Sequence, residues 1–228
     1  MALYAIADLH LSFGCNKPMD VFPGWKRYTA RLEENWRGLV GEEDTVVVAG
    51  DISWAMSLQE ARADFAFLHA LPGRKLILKG NHDYWWSTRR KIDAFLEQNG
   101  FSSIRVLHNN AYTVEGYAVC GTRGWVYNAA TPEDKKIVNR EVGRLNASLD
   151  AAEPGKEPVV FLHYPPQYDD MSCREIMQVL ESRGVAKCYF VHIHGAESAA
   201  RVLSGVRNGV SYTLIAGDHL RFRPLEVR

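Results

Sequence analysis

The stretch Lys79-Gly80-Asn81-His82-Asp83 follows the apolar run Leu76-Ile77-Leu78, so it begins where a buried strand is expected to end. It places an amide oxygen, an imidazole and a carboxylate at three consecutive positions after a glycine. Glycine allows the backbone to turn tightly and to approach a bound ion or anion closely. By itself the stretch indicates only a turn. It gains meaning because four other apolar runs in the chain end in a similar way.

Those four runs also end in side chains that commonly bind metal ions. In α/β sheets, ligands bind beyond the carboxyl ends of the strands, so we expect these side chains to share one site. The full set is Asp8 and His10 after the run 3–7, Asp51 after 45–49, Asn81 and His82 after 75–78, His163 after 158–162, and His192 and His194 after 188–191.

The chemistry of this set favours particular metals. Oxygen and imidazole ligands without thiolates suit manganese, iron or zinc and suit calcium poorly. The ligands are too many for one ion, whereas two ions about 3.5–4 Å apart and bridged by a carboxylate would use them all. Each residue alone has a structural alternative, because Asp8 could cap a helix and residues 81–83 could form a turn. Five such strand ends together favour a metal centre.

Composition limits the other classes of function. With 228 residues and 46% hydrophobic side chains, the chain can bury a full core, and we predict one domain over residues 1–228. Lys plus Arg equals Asp plus Glu at 27 each, which disfavours a nucleic-acid partner. Four scattered cysteines, an N-terminus that reads as a strand, and the absence of a run of about 20 apolar residues predict a cytoplasmic protein without a membrane partner.

The order of predicted elements indicates the fold class. Apolar strand-like runs alternate with amphipathic helices, for example a helix at residues 25–40, which predicts an α/β protein. A hairpin is expected around Glu115-Gly116, and residues 210–216 and 220–227 are predicted to form two antiparallel strands. These features suggest a mixed sheet or a second sheet.

The five motifs in this order resemble those of the calcineurin-like metallophosphoesterases. They are Asp8-x-His10, Gly50-Asp51, Gly80-Asn81-His82-Asp83, His163 and His192-x-His194. The resemblance implies a four-layer α/β/β/α sandwich of two mixed sheets flanked by helices, with a dinuclear metal site at the strand ends. It also implies that Asp8, His10, Asp51 and His194 hold one ion, that Asn81, His163 and His192 hold the second, and that Asp51 bridges them.

The same resemblance implies hydrolysis of a phosphomonoester or phosphodiester. Two divalent or trivalent ions, manganese favoured and iron or zinc compatible, would lower the pKa of a shared water, giving a hydroxide that attacks phosphorus. They would also neutralise the charge growing on the phosphoryl oxygens. His82 matches the family's general acid, which protonates the leaving oxygen. A small phosphorylated substrate is therefore expected.

The chain departs from the protein phosphatases of this family, which carry G-D-x-x-D-R-G. Here the segment is Gly50-Asp51-Ile52-Ser53-Trp54-Ala55-Met56, without the aspartate that orients the acid and without the arginine that clamps phosphate. Val191 also replaces the glycine of the last motif. Protein phosphatase activity is therefore disfavoured.

Four other side chains are candidates for the site. Asp83 could orient His82 or could serve the turn. Arg123 could replace the missing phosphate clamp or could be an exposed arginine with a surface partner. Trp54 and Trp125, which follow strand-end motifs, could contact a base or an apolar leaving group or could belong to the core.

Two alternatives to a small-molecule phosphoesterase remain. A nuclease is disfavoured by the neutral charge and by the absence of a stripe rich in lysine and arginine. A metal-binding scaffold without catalysis is disfavoured because scaffold members of the family lack the acid histidine, which is present here as His82.

Overall fold

The computed structural model describes residues 1–125 and 131–228. Its strands are β1 (Leu3–Ile6), β2 (Thr45–Val48), β3 (Arg74–Ile77), β4 (Ile104–Val106), β5 (Tyr112–Val114), β6 (Tyr117–Thr122), β7 (Glu157–Leu162), β8 (Gln167–Tyr168), β9 (Met171–Ser172), β10 (Lys187–Phe190), β11 (Gly205–Arg207), β12 (Val210–Leu214) and β13 (Leu225–Glu226). Its helices are α1 (Tyr28–Leu39), α2 (Arg62–Ala70), α3 (Arg89–Gln98), α4 (Pro132–Asp150), α5 (Arg174–Ser182) and α6 (Ala196–Ala199).

The chain divides into two compact units, the first of which comprises Met1–Val106 and Gly217–Arg228. Its five-stranded sheet has the order β13-β1-β2-β3-β4, in which β1 to β4 are parallel and β13 is antiparallel to β1. Every residue of β2 is buried, as expected for a β-branched strand covered on both faces. The helices α1, α2 and α3 contribute Trp36, Phe65 and Ile92 to the core of this unit.

The second unit comprises Leu107–Ala216. Its six-stranded sheet has the order β11-β12-β10-β7-β6-β5, with four parallel strands in the middle and an antiparallel strand at each edge. The helices α4 and α5 bury Leu145 and Leu180 in one apolar cluster with Val160 and Phe190. A separate two-stranded sheet joins β8 to β9.

The prediction of an α/β protein with two mixed sheets flanked by helices is confirmed. The hairpin around Glu115-Gly116 is also present, since β5 and β6 pair on either side of it. The prediction of one domain over residues 1–228 stays a prediction. Among the described residues, no helix is both long enough and apolar enough to cross a bilayer.

Two predictions about elements were wrong in detail. The terminal segments do not pair with each other, because β12 lies parallel to β10 in the second unit and β13 lies antiparallel to β1 in the first. The first helix begins at Tyr28, three residues later than predicted, because Arg27 has a left-handed backbone with φ of 52°. Trp25 therefore lies outside the helix, where it is buried and its ring centroid lies 5.7 Å from that of His10.

Candidate active site

In the first unit, the loops after β1 and β2 hold three predicted metal ligands together. The main-chain nitrogen of Asp8 donates to Gly50 O at 3.0 Å, and that of His10 donates to Asp51 O at 2.9 Å. The side chains of Asp8, His10 and Asp51 are buried. The Nε2 atom of His10 lies 3.9 Å from Oδ2 of Asp51. The two loops are therefore joined by backbone hydrogen bonds and present two carboxylates and an imidazole.

The backbone of these ligands is unusual. Asp8, His10 and Asp51 have φ of 52°, 43° and 49°, and His192 in the second unit has φ of 78°. Such left-handed conformations are uncommon outside glycine, although Asp, Asn and His adopt them more often than other residues. Non-glycine residues in sparsely populated backbone regions cluster at functional sites, where the surrounding structure holds them in place. Four of the seven predicted ligands have this property.

The donor set of the first unit fits a bound cation. Burying an ionised carboxylate is costly unless a counter-charge or hydrogen bonds compensate for the lost hydration. Asp8 and Asp51 are 0% and 1% exposed, and the ring of His10 lies beside Asp51. Carboxylate oxygens and imidazole nitrogens are the ligands that manganese, iron and zinc accept. These residues can therefore hold a metal ion.

The Gly80–Asp83 stretch packs directly against Asp51. The main-chain nitrogen of His82 donates to Oδ1 of Asp51 at 2.7 Å, and that of Gly80 donates to Oδ2 of Asp83 at 2.7 Å. A Cβ atom on Gly80 would overlap Oδ1 and the main-chain nitrogen of Asp51. The backbone at this glycine therefore approaches Asp51 closely, whereas the predicted approach to a bound ion or anion stays a prediction.

The Asp83 carboxylate holds the loop after β2. It accepts hydrogen bonds from the main-chain nitrogens of Asp51 and Ile52, both at 2.9 Å, and from Nε1 of Trp85 at 3.0 Å. Burial, and next the nearby carboxylate of Asp51, raise the pKa of Asp83 above the ordinary aspartate range. Within residues 1–125 and 131–228 its hydrogen bonds do not include the His82 ring. These contacts favour a structural role for Asp83.

The imidazole of His82 is surrounded by aromatic side chains. Its Nδ1 lies 3.1 Å from the hydroxyl oxygen of Tyr84, and its ring centroid lies 4.5 Å from that of Trp54. The His10 ring is 5.8 Å away. The half-buried His82 is therefore next to the predicted ligands and has a tyrosine as a hydrogen-bond partner.

Trp54 packs within this cluster. Its ring stacks on His10 with a centroid distance of 4.7 Å and an interplanar angle of 20°. Nζ of Lys17 lies 3.3 Å from the ring centroid, and the indole nitrogen donates to Sδ of Met19 at 3.3 Å. A base could stack on Trp54 only after Lys17 had moved. The structure therefore favours a packing role for this tryptophan beside His10 and His82.

In the second unit, the ends of β7 and β10 hold the remaining histidines. His163 is buried, and its ring centroid lies 5.3 Å from that of His192. The main-chain nitrogen of Val191 donates to His163 O at 3.2 Å, which ties the two strand ends together. Tyr164 packs on His192 at 4.5 Å. His194, which lies two residues after His192 in the sequence, is half-buried.

Arg123 and Trp125 lie next to these histidines. The carbonyl oxygen of Arg123 accepts hydrogen bonds from the main-chain nitrogens of His163 at 3.0 Å and of Tyr164 at 2.8 Å. The Arg123 guanidinium is 5.7 Å from the ring centroid of Trp125 and 5.8 Å from that of Tyr164. Arg123 is half-buried, and its Nε has no hydrogen-bond partner in the described part of the chain. The alternative of an exposed surface arginine is therefore not favoured.

Two residues near the site were not identified from the sequence. Tyr84 lacked any signal, because a tyrosine after a loop motif is common. Asp64 did carry a sequence signal, because it is a carboxylate on the apolar face of α2 with Phe65 and Leu68. In the structure Asp64 is 0% exposed. Its carboxylate accepts from the main-chain nitrogen of Phe13 at 2.7 Å and from the hydroxyl of Ser53. Asp64 thus joins the segments that follow the ligand loops after β1 and β2. Burial raises its pKa above the usual aspartate value.

Several solved structures share this fold. Phosphopantetheinyl hydrolase from Mycobacterium tuberculosis is 14% identical with a TM-score of 0.57, and the alignment covers 99% of this chain and 95% of that one. A protein of unknown function from Aquifex aeolicus is 14% identical with a TM-score of 0.54 over the same shares. At this identity the likeness concerns the fold alone.

One curated protein matches over a short segment. The gene 66 protein of Mycobacterium phage L5 is 36% identical over 58 residues, which is 25% of this chain and 28% of the phage protein. The family model described as calcineurin-like phosphoesterase matches residues 1–196, the region that contains all five motifs. The chain therefore belongs to the calcineurin-like phosphoesterase family.

Proposed function

We propose that this protein hydrolyses a small phosphomonoester or phosphodiester at a dinuclear metal centre, with His82 as the general acid. Family membership supports metal-dependent phosphoester hydrolysis. The structural observation that supports the proposal most directly is the group formed by Asp8, His10 and Asp51. These three ligands are buried, and all three have left-handed backbones.

The proposed ligand sets follow the family pattern. One ion would be held by Asp8, His10, Asp51 and His194, and the second by Asn81, His163 and His192, with Asp51 bridging. We propose that residues 1–228 act as one functional domain, as the family pattern implies. Manganese is the favoured metal for this oxygen and nitrogen set, and iron or zinc would also fit. The proposed location is the cytoplasm, with which four free cysteines are compatible.

The ions, when bound, would lower the pKa of a water molecule and neutralise charge on the phosphoryl oxygens. A residue of the chain, His82, would protonate the leaving oxygen. As the oxygen of the water joins phosphorus, the bond from phosphorus to the leaving oxygen breaks. The imidazolium form of His82 would give an N–H proton to that oxygen and become neutral imidazole, so the leaving group departs as a neutral alcohol or phenol, while the proton lost by the water passes to solvent. The hydrogen bond from His82 N to Asp51 fixes the acid beside the proposed bridging ligand.

The remaining candidates receive supporting roles in this proposal. Asp83 would fix the Asp51 loop through the backbone hydrogen bonds described above. Arg123 would contact the phosphoryl group, because a guanidinium can donate two hydrogen bonds to phosphate oxygens. Trp54 and Trp125 would form apolar contacts with the leaving group at the edges of their rings. Substrate preference would follow from this set of contacts.

Replacement of His82 tests the proposal. With a phenyl ester of phosphate as substrate, we expect His82→Ala to lower kcat by about 100-fold or more, because general acid catalysis contributes about 10²–10⁴-fold. Metal content should not change, since His82 is not among the proposed ligands. His219→Ala is the matched control, because His219 is exposed. Unchanged turnover by His82→Ala would remove this residue from the mechanism, and metal binding without turnover by the native protein would favour the scaffold alternative.

A further inference from the structure

The proposed acid requires something to hold its ring. In the motif of the protein phosphatases, an aspartate orients the acid histidine, and the corresponding position in this chain is Trp54. The centroid of the Trp54 ring lies 4.5 Å from that of the His82 ring. An aromatic ring therefore occupies the position at which a carboxylate would be expected. The neighbouring carboxylate, Asp83, is engaged with main-chain nitrogens and with Trp85.

The hydroxyl of Tyr84 provides a polar contact to this ring. It lies 3.1 Å from Nδ1 of His82, and the two rings meet edge to face with centroids 5.9 Å apart. The main-chain nitrogen of Tyr84 donates to His82 O at 2.8 Å, and that of Trp86 donates to Asp83 O at 3.1 Å. The turn that presents His82 is therefore the turn that fixes Tyr84.

We propose that Tyr84 is the positioning residue for His82, and that it acts through its hydroxyl while Trp54 supports the ring from a second direction. When His82 acts as the acid, both ring nitrogens carry protons, so Nδ1–H donates to the hydroxyl oxygen of Tyr84 and the Nε2 proton remains available to a leaving group. A tyrosine and a tryptophan thus replace the aspartate of the protein phosphatases. This inference rests on the proposed role of His82 as general acid.

The inference predicts an effect that depends on the leaving group. A phenolate needs the proton of a general acid far more than a p-nitrophenolate, because p-nitrophenolate is the weaker base. We therefore expect Tyr84→Phe to lower kcat for a phenyl ester by about 10-fold, which is part of the general acid contribution. The p-nitrophenyl ester of the same phosphate class should lose less than about 2-fold, and KM for both should stay the same.

The experiment compares native protein, Tyr84→Phe, His82→Ala and Tyr4→Phe on the phenyl and p-nitrophenyl esters in the presence of Mn²⁺. Tyr4→Phe is the matched control, since Tyr4 lies on β1 and its hydroxyl donates to the carbonyl oxygen of Leu39 at the end of α1, at 3.1 Å. Its kinetics should equal those of the native protein. Because Tyr84 is 52% exposed, loss of its hydroxyl should leave the unfolding midpoint unchanged.

The outcomes separate the two proposals. Selective loss with the phenyl ester in both Tyr84→Phe and His82→Ala supports the positioning role. Selective loss in His82→Ala alone, or an equal loss of both esters in Tyr84→Phe, overturns that role and leaves the acid in place. If His82→Ala shows no selective loss, the proposed acid fails and the inference about Tyr84 fails with it.

Discussion

Gly80 is the residue at which the smallest added group would disturb the candidate site most. A Cβ atom there would overlap the main-chain nitrogen and Oδ1 of Asp51 and would lie 2.8 Å from its Cγ. Asp51 would have to move, and with it the proposed bridging ligand. We expect Gly80→Ala to reduce metal content and to lower kcat by about 100-fold or more. Overpacking of this kind also costs about 1–3 kcal/mol in the free energy of unfolding.

Gly143→Ala is the control for this change. Gly143 lies exposed within α4, and nothing would lie within 4 Å of an added Cβ. The same substitution there should leave activity unchanged and should stabilise the helix by up to about 1 kcal/mol. Metal analysis and urea unfolding of both variants provide the measurements. A Gly80→Ala protein with native metal content and turnover would show that the close packing against Asp51 is not required.

At the residue scale, identities could be predicted from the sequence but partners could not. Asp8, His10 and Asp51 are predicted ligands because side chains that commonly bind metals recur at the ends of the apolar runs. The role of Asp83 remained open, since a carboxylate in a turn can bond either to backbone or to a side chain. Only the folded structure brings the main-chain nitrogens of residues 51 and 52 to Asp83, because they come from a different loop. Tyr84 could not be identified because a tyrosine after a loop motif is common and gives no sign of a contact with His82.

The end of helix α2 is held by a buried lysine on the adjacent strand. Lys75 on β3 is 0% exposed, and its Nζ donates to the carbonyl oxygen of Leu71 and lies 3.5 Å from that of His69. A cation favours the carboxyl end of a helix, where carbonyl groups lack intrahelical partners. Desolvation nevertheless lowers the pKa of Lys75 to about 8. The lysine therefore combines a favourable helix contact with a costly buried charge.

This cost predicts a pH dependence of stability. Between about pH 8 and 10.5 the unfolded chain keeps the proton of Lys75 while the folded chain loses it, so stability rises with pH. The shift corresponds to at most about 3 kcal/mol. The unfolding free energy of the native protein relative to Lys75→Met should therefore increase by about 1–3 kcal/mol from pH 8 to pH 10. A difference that does not change with pH would contradict the lowered pKa.

At the element scale, strongly patterned segments were predicted well. The apolar runs that became β1, β2, β3, β7 and β10 all lie where the sequence indicated. The helix α4 begins at Pro132, after a capping box between Thr131 and Asp134 that is readable from residue types alone. The pairing of the terminal strands was wrong, because nothing local specifies which sheet a short strand joins. Strand β11 was missed, since its residues are all exposed and show no apolar pattern.

For the whole molecule, the family could be predicted from the sequence because the five motifs are separated by regular α/β elements. Solved structures that share only 14% identity with the chain have the same fold, so the fold persists at low sequence identity. The substrate was not predictable in this way. No sequence period determines the positions of loop side chains such as Lys17 and Trp54, which contact each other beside His10. The balanced charge of the chain provides no general attraction for polyanions.

The central claim is that metal ions and His82 together hydrolyse a phosphoester. The most direct test measures hydrolysis of bis-p-nitrophenyl phosphate and p-nitrophenyl phosphate by metal-stripped protein before and after addition of Mn²⁺. We predict no turnover without metal, and turnover restored at two bound ions per chain. The ester that is hydrolysed faster would show whether the protein prefers phosphodiesters or phosphomonoesters. Turnover that survives complete removal of metal, or two bound ions without turnover of either ester, would contradict the claim.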